Sequence, residues 1–138
     1  MPMILNEEQN MLKDSAKDFC TSNAPIGQLR ELRDTDSAQG FDSATWNAMV
    51  ELGWAAIPWA EAHGGLEFGY KGLGVVTEET GRTLTASPLF ASAWVGGTLI
   101  NVGGSEQQKS ELLPKIATGE LLMALALEEG HRHAPYQI

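Results

Sequence analysis

The sequence has few cysteines and few basic residues, and each shortage excludes a class of protein. Its 138 residues include one cysteine, so no internal disulfide can form. We expect that residue, Cys20, to be a small buried hydrophobic group on a helix face rather than a nucleophile. Nine Lys and Arg residues against 18 Asp and Glu residues give a formal net charge of −9. Because nucleic-acid binding relies on clustered cations that neutralise phosphates, we expect no nucleic-acid partner.

A membrane-spanning run and a leader are also missing from the sequence. No stretch reaches the roughly 18 consecutive apolar residues of a transmembrane helix, and the first residues do not form a charged-then-apolar signal. We therefore expect no membrane insertion and a cytoplasmic location. Hydrophobic residues make up 43% of the chain and charged residues 20%, which is typical of a globular protein. The length suits one domain with its own core plus a short tail.

The stretch from Gly103 to Glu129 changes from a helical pattern to a strand pattern. Ser105 and Gln108 have the spacing of a capping box, in which each side chain bonds the backbone N–H of the other residue at a helix start. Pro114 should kink or end this helix, because its ring removes a donor and clashes with the preceding turn. Gly119 then closes whatever helix remains. The apolar run that follows is short enough for a buried strand.

Such patterns along the chain predict an all-α fold. We expect an up-and-down or orthogonal bundle of five to six helices with one short C-terminal β-strand. Asn6, Asp42 and Ser105 are expected to cap the starts of three of these helices, and apolar residues recur along the helices at helical spacing. The predicted helices lie near 7–22, 26–34, 43–52, 70–84, 87–102 and 106–117. The predicted strand lies near 122–127.

The segment 87–102 is the least polar part of the chain and has no charged side chain. A helix without a polar face must be buried nearly all round. One face carries three small residues, Ser87, Ala91 and Val95. The next face carries Phe90, Trp94 and Gly97, and the rings of Phe90 and Trp94 have the bulk expected of core. Either face could line an apolar cavity, although most apolar helix stripes are simply core.

Charged residues elsewhere give no catalytic site. Glu78 and Glu79 are adjacent on a helix, so their side chains point about 100° apart; we expect that they cannot share one proton or one site and that they are structural. Arg30 and Arg33 alternate with acidic residues, which favours a solvated salt-bridged face. His63 is expected to be a polar loop residue.

Two separate segments contain ordered sets of residues that occur together in one protein family. The first set is Gly104, Gln108, Lys109, Leu113, Pro114, Ile116, Gly119, Glu120, Ala126, Leu127 and Glu129. The second set is Trp46, Leu52, Gly53, Pro58, Gly64 and Gly65. Together they resemble the N-terminal helical domain of the acyl-CoA dehydrogenase family. The resemblance implies that residues 1–119 form this domain and that residues 120–138 are the first strand and tail of a truncated middle β-domain.

The resemblance also implies a chemistry. Members of this family desaturate an acyl-CoA thioester: a carboxylate removes the α-proton and the β-hydride passes to the flavin of FAD. The family's catalytic glutamate lies in a C-terminal domain that this chain does not contain, so we assign no catalytic residue and expect the chain alone to be inert. By resemblance, Ser87, Ala91 and Val95 form one wall of the fatty acyl pocket. The backbone of Leu125, Ala126 and Leu127 would lie against the flavin, with weak or absent FAD binding by this chain alone.

The tail departs from the family pattern, which usually has Thr-Glu-Pro and then Gly-Ser-Asp. Glu128 stands in place of the threonine, Gly130 replaces the proline, and no Gly-Ser-Asp follows. His131 and His133 stand beside Glu128 and Glu129, but without a third spaced ligand we expect no metal site. The departure resembles divergent family branches, including small subunits that pair with a second flavoprotein subunit.

Two readings therefore remain open. The chain could be the N-terminal domain of a flavin-dependent acyl-CoA dehydrogenase, with acyl-CoA as substrate and with the remaining domains or a second subunit as partners in a homo- or hetero-oligomer. It could instead be a stand-alone helical interaction module or a non-catalytic small subunit. The DNA downstream of codon 138 would decide between them.

Overall fold

The computed structural model describes residues 4–127, and this part of the chain is helical. The six α-helices are α1 (Glu7–Asn23), α2 (Ile26–Asp34), α3 (Ser43–Glu51), α4 (Gly69–Arg82), α5 (Thr98–Gly103) and α6 (Glu106–Ala117). A π-helix, Leu89–Gly97, runs directly into α5, and short 3₁₀ turns lie at Trp54–Ala56 and Glu61–His63. The predicted all-α fold is confirmed, and the predicted helix bounds agree with the observed ones to within a few residues.

Capping interactions start the helices where the sequence predicts. At α1, the Gln9 backbone N–H donates to Asn6 Oδ1 over 2.8 Å and the Asn6 N–H donates to Gln9 Oε1 over 3.1 Å. At α6, the Gln108 N–H donates to Ser105 Oγ over 3.3 Å, and the Ser105 N–H donates to Gln108 Oε1 over 2.8 Å. Each capping box satisfies two backbone donors that the helix itself leaves without an acceptor.

Pro114 does not end α6, which continues to Ala117. The expectation that the ring could terminate the helix is therefore wrong. The proline packs against the loop at Gly64, where an added Cβ would lie 3.4 Å from Pro114 Cα. Gly119 closes the helix as predicted, with a φ of 72° that only glycine adopts without steric cost.

The core lies between α1, α3, α4 and α6, around the loop that follows α3. Its largest fully buried side chains are Trp54, Trp59, Met49, Leu73, Leu113 and Ile116. The rings of Phe19 and Trp54 meet edge to face, with centroids 4.9 Å apart, so α1 packs directly on the loop. Cys20 is buried, as predicted, and this burial raises the pKa of its thiol.

The predicted strand near 122–127 is not confirmed, because residues 121–127 form neither helix nor strand. A strand needs a neighbour to complete its ladder of hydrogen bonds, and residues 4–127 contain no strand that could pair with it. The expectations for Glu128, Gly130, His131 and His133 fall outside the described residues.

Candidate functional site

The π-helix is the most unusual element of the fold. Its hydrogen bonds span five residues instead of four, which widens the turn, and such segments occur frequently at functional sites. Leu89–Gly97 contains no charged residue, and the sequence predicted an ordinary helix here. Hydrophobic periodicity does not separate the two kinds of helix when every face is apolar.

One face of the π-helix is open. Phe90 is 57% exposed, Ala91 is also exposed, and Trp94 and Val95 are half-buried. The Phe90 and Trp94 rings contact each other edge to face, with centroids 5.4 Å apart. The expectation of burial all round is therefore wrong for residues 4–127, as is the assignment of Phe90 to the core, because the described chain covers only the opposite face.

The three predicted pocket residues belong to this open side or to its start. Ser87 is half-buried, directly before the π-helix, while Ala91 and Val95 follow at intervals of four residues. We call Phe90, Ala91, Trp94 and Val95 the open face. It presents one methyl group, one branched aliphatic group and two aromatic rings, and its members have no ionisable group. Such a surface can cover an apolar chain, but it cannot transfer a proton.

The opposite face of the π-helix packs through two glycines. A Cβ at Gly97 would lie 2.5 Å from Cζ3 of the buried Trp59, and a Cβ at Gly96 would lie 2.7 Å from Met123 Cβ. Both distances are too short for real side chains, so the absence of a side chain lets the helix backbone approach both neighbours closely. The π-helix therefore sits directly between the core and the residues after α6.

The residues after α6, 121–127, are here called the carboxy-terminal segment. The Leu121 N–H donates to the Lys115 carbonyl over 3.0 Å, and the Met123 N–H donates to Ser92 Oγ over 3.2 Å. Leu121 and Met123 pack against the core, whereas Leu125 and Leu127 are 48% and 55% exposed. The segment thus leaves the core between residues 123 and 125.

This arrangement brings the two predicted sets of site residues onto neighbouring elements. Ala91 and Val95 lie on the π-helix, and the segment that carries Leu125, Ala126 and Leu127 is attached to the same helix through Ser92 and Gly96. Sequence reasoning missed Ser92, which is 1% exposed. No local signal identifies it, because its partners lie 29 and 31 residues away in the chain.

An apolar groove of about 220 Å³ lies between α1 and the loop after α3. It is lined by Glu8, Leu12, Leu52, Trp54, Ile57, Leu66 and Phe68. None of these residues belongs to the π-helix or to the carboxy-terminal segment, so the groove is separate from the open face. The sequence did not predict it, since its walls come from three separate stretches of chain.

The two adjacent glutamates of α4 form a charged cluster with α1. Arg82 contacts Glu78 at 2.9 Å and Glu79 at 3.1 Å, and Lys13 of α1 contacts them at 3.3 and 3.8 Å. The long side chains of Lys13 and Arg82 bridge both carboxylates, of which only Glu79 is buried. Their structural role is supported, since this cluster joins α1 to α4.

Other polar groups of residues 4–127 do not assemble a reactive site. His63 ends a 3₁₀ turn, and its Nε2 lies 3.7 Å from Glu106 Oε2. No group of three or more His, Cys, Asp or Glu side chains in the described range is arranged to hold a metal ion. Likewise, none of the described helices is long and apolar enough to cross a membrane.

Comparison with known proteins gives one consistent result. A family model described as "Acyl-CoA dehydrogenase, N-terminal domain" matches residues 6–120. The probable acyl-CoA dehydrogenase YngJ of Bacillus subtilis is 30% identical over 128 residues, which cover 91% of this chain and 32% of the relative.

Solved structures agree with this match. An acyl-CoA dehydrogenase complexed with FAD from Bacillus anthracis superposes with a TM-score of 0.79 and 25% identity, over 96% of this chain and 23% of that one. The ChsE4-ChsE5 complex from Mycobacterium tuberculosis has a TM-score of 0.84 over 97% of this chain and 36% of that one; at 20% identity it shows the fold alone. The chain thus spans about a third or less of the length of these proteins.

Proposed function

The chain belongs to the acyl-CoA dehydrogenase family as an N-terminal helical domain, and we propose that its role there is to build one wall of the site in which an acyl-CoA thioester is desaturated. The observation that carries this proposal is the open face of the π-helix beside the exposed carboxy-terminal segment. The wall would consist of Ser87, Ala91 and Val95. A substrate chain of methylene groups fits such a surface, because small apolar side chains leave volume for it and bury its area from water.

The carboxy-terminal segment suits one part of an FAD molecule. Within residues 4–127, the backbone from 124 to 127 has no hydrogen-bond partner, and Leu125 and Leu127 present exposed apolar side chains beside it. Backbone N–H and C=O groups that have no partner among residues 4–127, next to apolar side chains, would match a flat ring system with a polar edge. We propose that Leu125, Ala126 and Leu127 contact the flavin ring.

Bound flavin would supply the hydride acceptor that side chains cannot replace. The residues of this chain would bind and orient the substrate. Ala91 and Val95 would exclude water and orient the acyl chain, which brings reacting groups together without any proton transfer of their own. No carboxylate on the open face is available as a base, so the proton acceptor must come from another part of the complete protein.

Residues 1–119 would then form the helical domain, and residues 120–138 would begin the middle β-domain. The partner strand that the carboxy-terminal segment lacks would belong to that domain. The open face would be covered by further domains or by a second subunit, since an uncovered apolar surface of this kind promotes association.

A domain exchange tests the proposal. Residues 1–127 would replace the corresponding domain of an acyl-CoA dehydrogenase relative, and the chimaera would be assayed for flavin content and for oxidation of acyl-CoA by dye reduction. We expect bound flavin and measurable oxidation. A chimaera that folds and binds flavin, yet oxidises no acyl-CoA of any length, would contradict the proposed role.

The alternative is a non-catalytic subunit or a stand-alone interaction module. It is favoured by the tail sequence, where Gly130 is not followed by Gly-Ser-Asp. On either reading the purified chain should bind FAD weakly or not at all. Absorbance of the purified protein measures this, and stoichiometric flavin in the absence of any other subunit would contradict both readings.

A further inference from the structure

Ser92 makes two hydrogen bonds to the carboxy-terminal segment. Its hydroxyl accepts from the Met123 N–H over 3.2 Å and donates to the Leu121 carbonyl over 3.4 Å. One side chain thus binds a backbone donor and a backbone acceptor on either side of residue 122, as a residue of a neighbouring strand would. Ser92 is 1% exposed, so its hydroxyl is shielded from bulk water.

Gly96, four residues further along the π-helix, completes this contact. Because a Cβ at Gly96 would lie 2.7 Å from Met123 Cβ, any side chain there would push the segment away from the helix. The segment is therefore bound by the Ser92 hydroxyl, and the absence of a side chain at Gly96 allows it to lie close to the helix. Within residues 4–127, these contacts lie immediately before the point at which the segment becomes exposed.

The contacts are close to both predicted sets of site residues. Ser92 follows Ala91 of the open face directly, and Met123 precedes Leu125 by two residues. A change in the position of residue 123 relative to the π-helix therefore displaces the backbone at 125–127 relative to the acyl-pocket wall. Catalysis by orientation is sensitive to displacements of about 1 Å.

From this geometry, and building on the proposed function, we propose that Ser92 is a positioning residue that fixes the flavin-contacting backbone of 125–127 relative to the acyl-pocket wall. It touches neither substrate nor flavin. It acts by locking the carboxy-terminal segment onto the π-helix before that segment enters the next domain. Gly96 permits the same contact.

The first experiment uses the chain itself and compares Ser92→Ala with Thr98→Val. Both variants remove one hydroxyl, but the Thr98 hydroxyl is buried and has no hydrogen-bond partner among residues 4–127. Amide hydrogen exchange should become faster at Met123 on the order of tenfold in Ser92→Ala, as expected for the loss of one hydrogen bond. Exchange in α1 and α4, and at Met123 in Thr98→Val, should not change. Unchanged exchange at Met123 in Ser92→Ala would overturn the proposal.

The second experiment places Ser92→Ala and Ser92→Thr in the chimaera described above. Ser92→Ala should shift the visible absorbance or circular dichroism of the bound flavin and lower kcat with little change in KM. Ser92→Thr keeps the hydroxyl and should restore both. A faster exchange at Met123 without any change in flavin spectrum or kcat would overturn the positioning role alone. A flavin-containing chimaera that is inactive even with Ser92 present would contradict the proposed function, whereas a flavin spectrum that still shifts in Ser92→Ala would support the positioning role.

Discussion

The α1–α4 interface and the π-helix region differ in how much of their apolar surface this chain covers. α4 buries Leu73 and Val76 completely against its neighbours, and its polar edge is closed by the cluster of Lys13, Glu78, Glu79 and Arg82. The π-helix has no polar edge, and the described chain covers one of its faces and leaves the other exposed.

The difference shows which part of the domain is complete in itself. An amphipathic helix has a polar face that can stay in solvent, so it needs packing partners only on its apolar face. A helix that is apolar all round needs packing partners on every side. The α1–α4 interface therefore stabilises this chain, whereas the open face of the π-helix has no cover among residues 4–127. The following predictions compare matched changes in the two regions.

The largest effect is expected from Leu73→Ala in α4. Leu73 is 0% exposed, so the change removes buried methyl groups and leaves a cavity, which costs about 2–5 kcal/mol of unfolding free energy. The matched change Leu99→Ala, at a residue that is 53% exposed in α5, should cost about 0.5 kcal/mol or less. Urea unfolding measures both. Equal losses would mean that the π-helix region is as well covered as the α1–α4 interface.

A smaller effect is expected from adding one methyl group to a glycine. Gly97→Ala places a Cβ 2.5 Å from the buried Trp59 ring, and overpacking of this kind typically costs about 1–3 kcal/mol. Gly74→Ala in α4 meets no atom within 4 Å and should stabilise the helix by up to about 1 kcal/mol. Thermal unfolding of the two variants checks the difference in sign; a stabilising Gly97→Ala would show that Trp59 can move freely.

The charged edge of the α1–α4 interface should weaken in acid. Hydrogen bonds from Lys13 and then Arg82 hold the pKa of Glu78 below its usual value of 4.5. A carboxyl whose pKa is lowered by folding contributes stability that is present above its unfolded pKa and is lost as pH falls through the folded one. Stability should therefore fall below about pH 4.5, by a modest amount because Glu78 is exposed and screened.

Glu78→Gln isolates this contribution. Asp42 and Glu106 also have pKa values lowered by local hydrogen bonds, so their contributions change with pH in the same direction and remain in the variant. The melting temperature of Glu78→Gln should fall less steeply between about pH 5 and pH 3 than that of the unchanged chain, and added salt should reduce the difference. Parallel curves would show that the ion pairs of Glu78 do not contribute.

The local helical patterns were enough to predict most of the fold. The capping residues Asn6, Asp42 and Ser105 start α1, α3 and α6 as expected, because a cap depends on residues three positions apart. The π-helix was not predictable. An α-helix and a π-helix differ in the number of residues per turn, and a uniformly apolar segment such as Leu89–Gly97 has no alternation of polar and apolar residues that would reveal this number. The family could be recognised from the sequence because the matching residues recur in order over two separate segments.

The candidate site was predictable only in part. Small residues at 87, 91 and 95 could be recognised as one stripe, but which side of the helix stays exposed depends on Trp59 and Met123, which lie far away in the sequence. The exposure of Phe90 and the bonds of Ser92 depend on the same distant contacts. The strand near 122–127 was predicted from a short apolar run and from the family resemblance, yet strand formation requires a partner strand.

The smallest effect on stability is expected from Ala91→Phe on the open face. Ala91 is exposed, so a larger side chain projects into unoccupied volume, and we expect a change of about 0.5 kcal/mol or less. Ala93, two residues further along the same helix, is 0% exposed, and Ala93→Phe should cost at least the roughly 1–3 kcal/mol that is typical of core overpacking. In the chimaera, Ala91→Phe should lower kcat/KM for long acyl chains more than for short ones, because its ring would fill the volume that the end of a long chain occupies. Thermal melting of both variants and a profile of acyl-CoA chain lengths provide the test: a large loss of stability in Ala91→Phe with an unchanged profile would show that Ala91 is ordinary core and not part of the pocket.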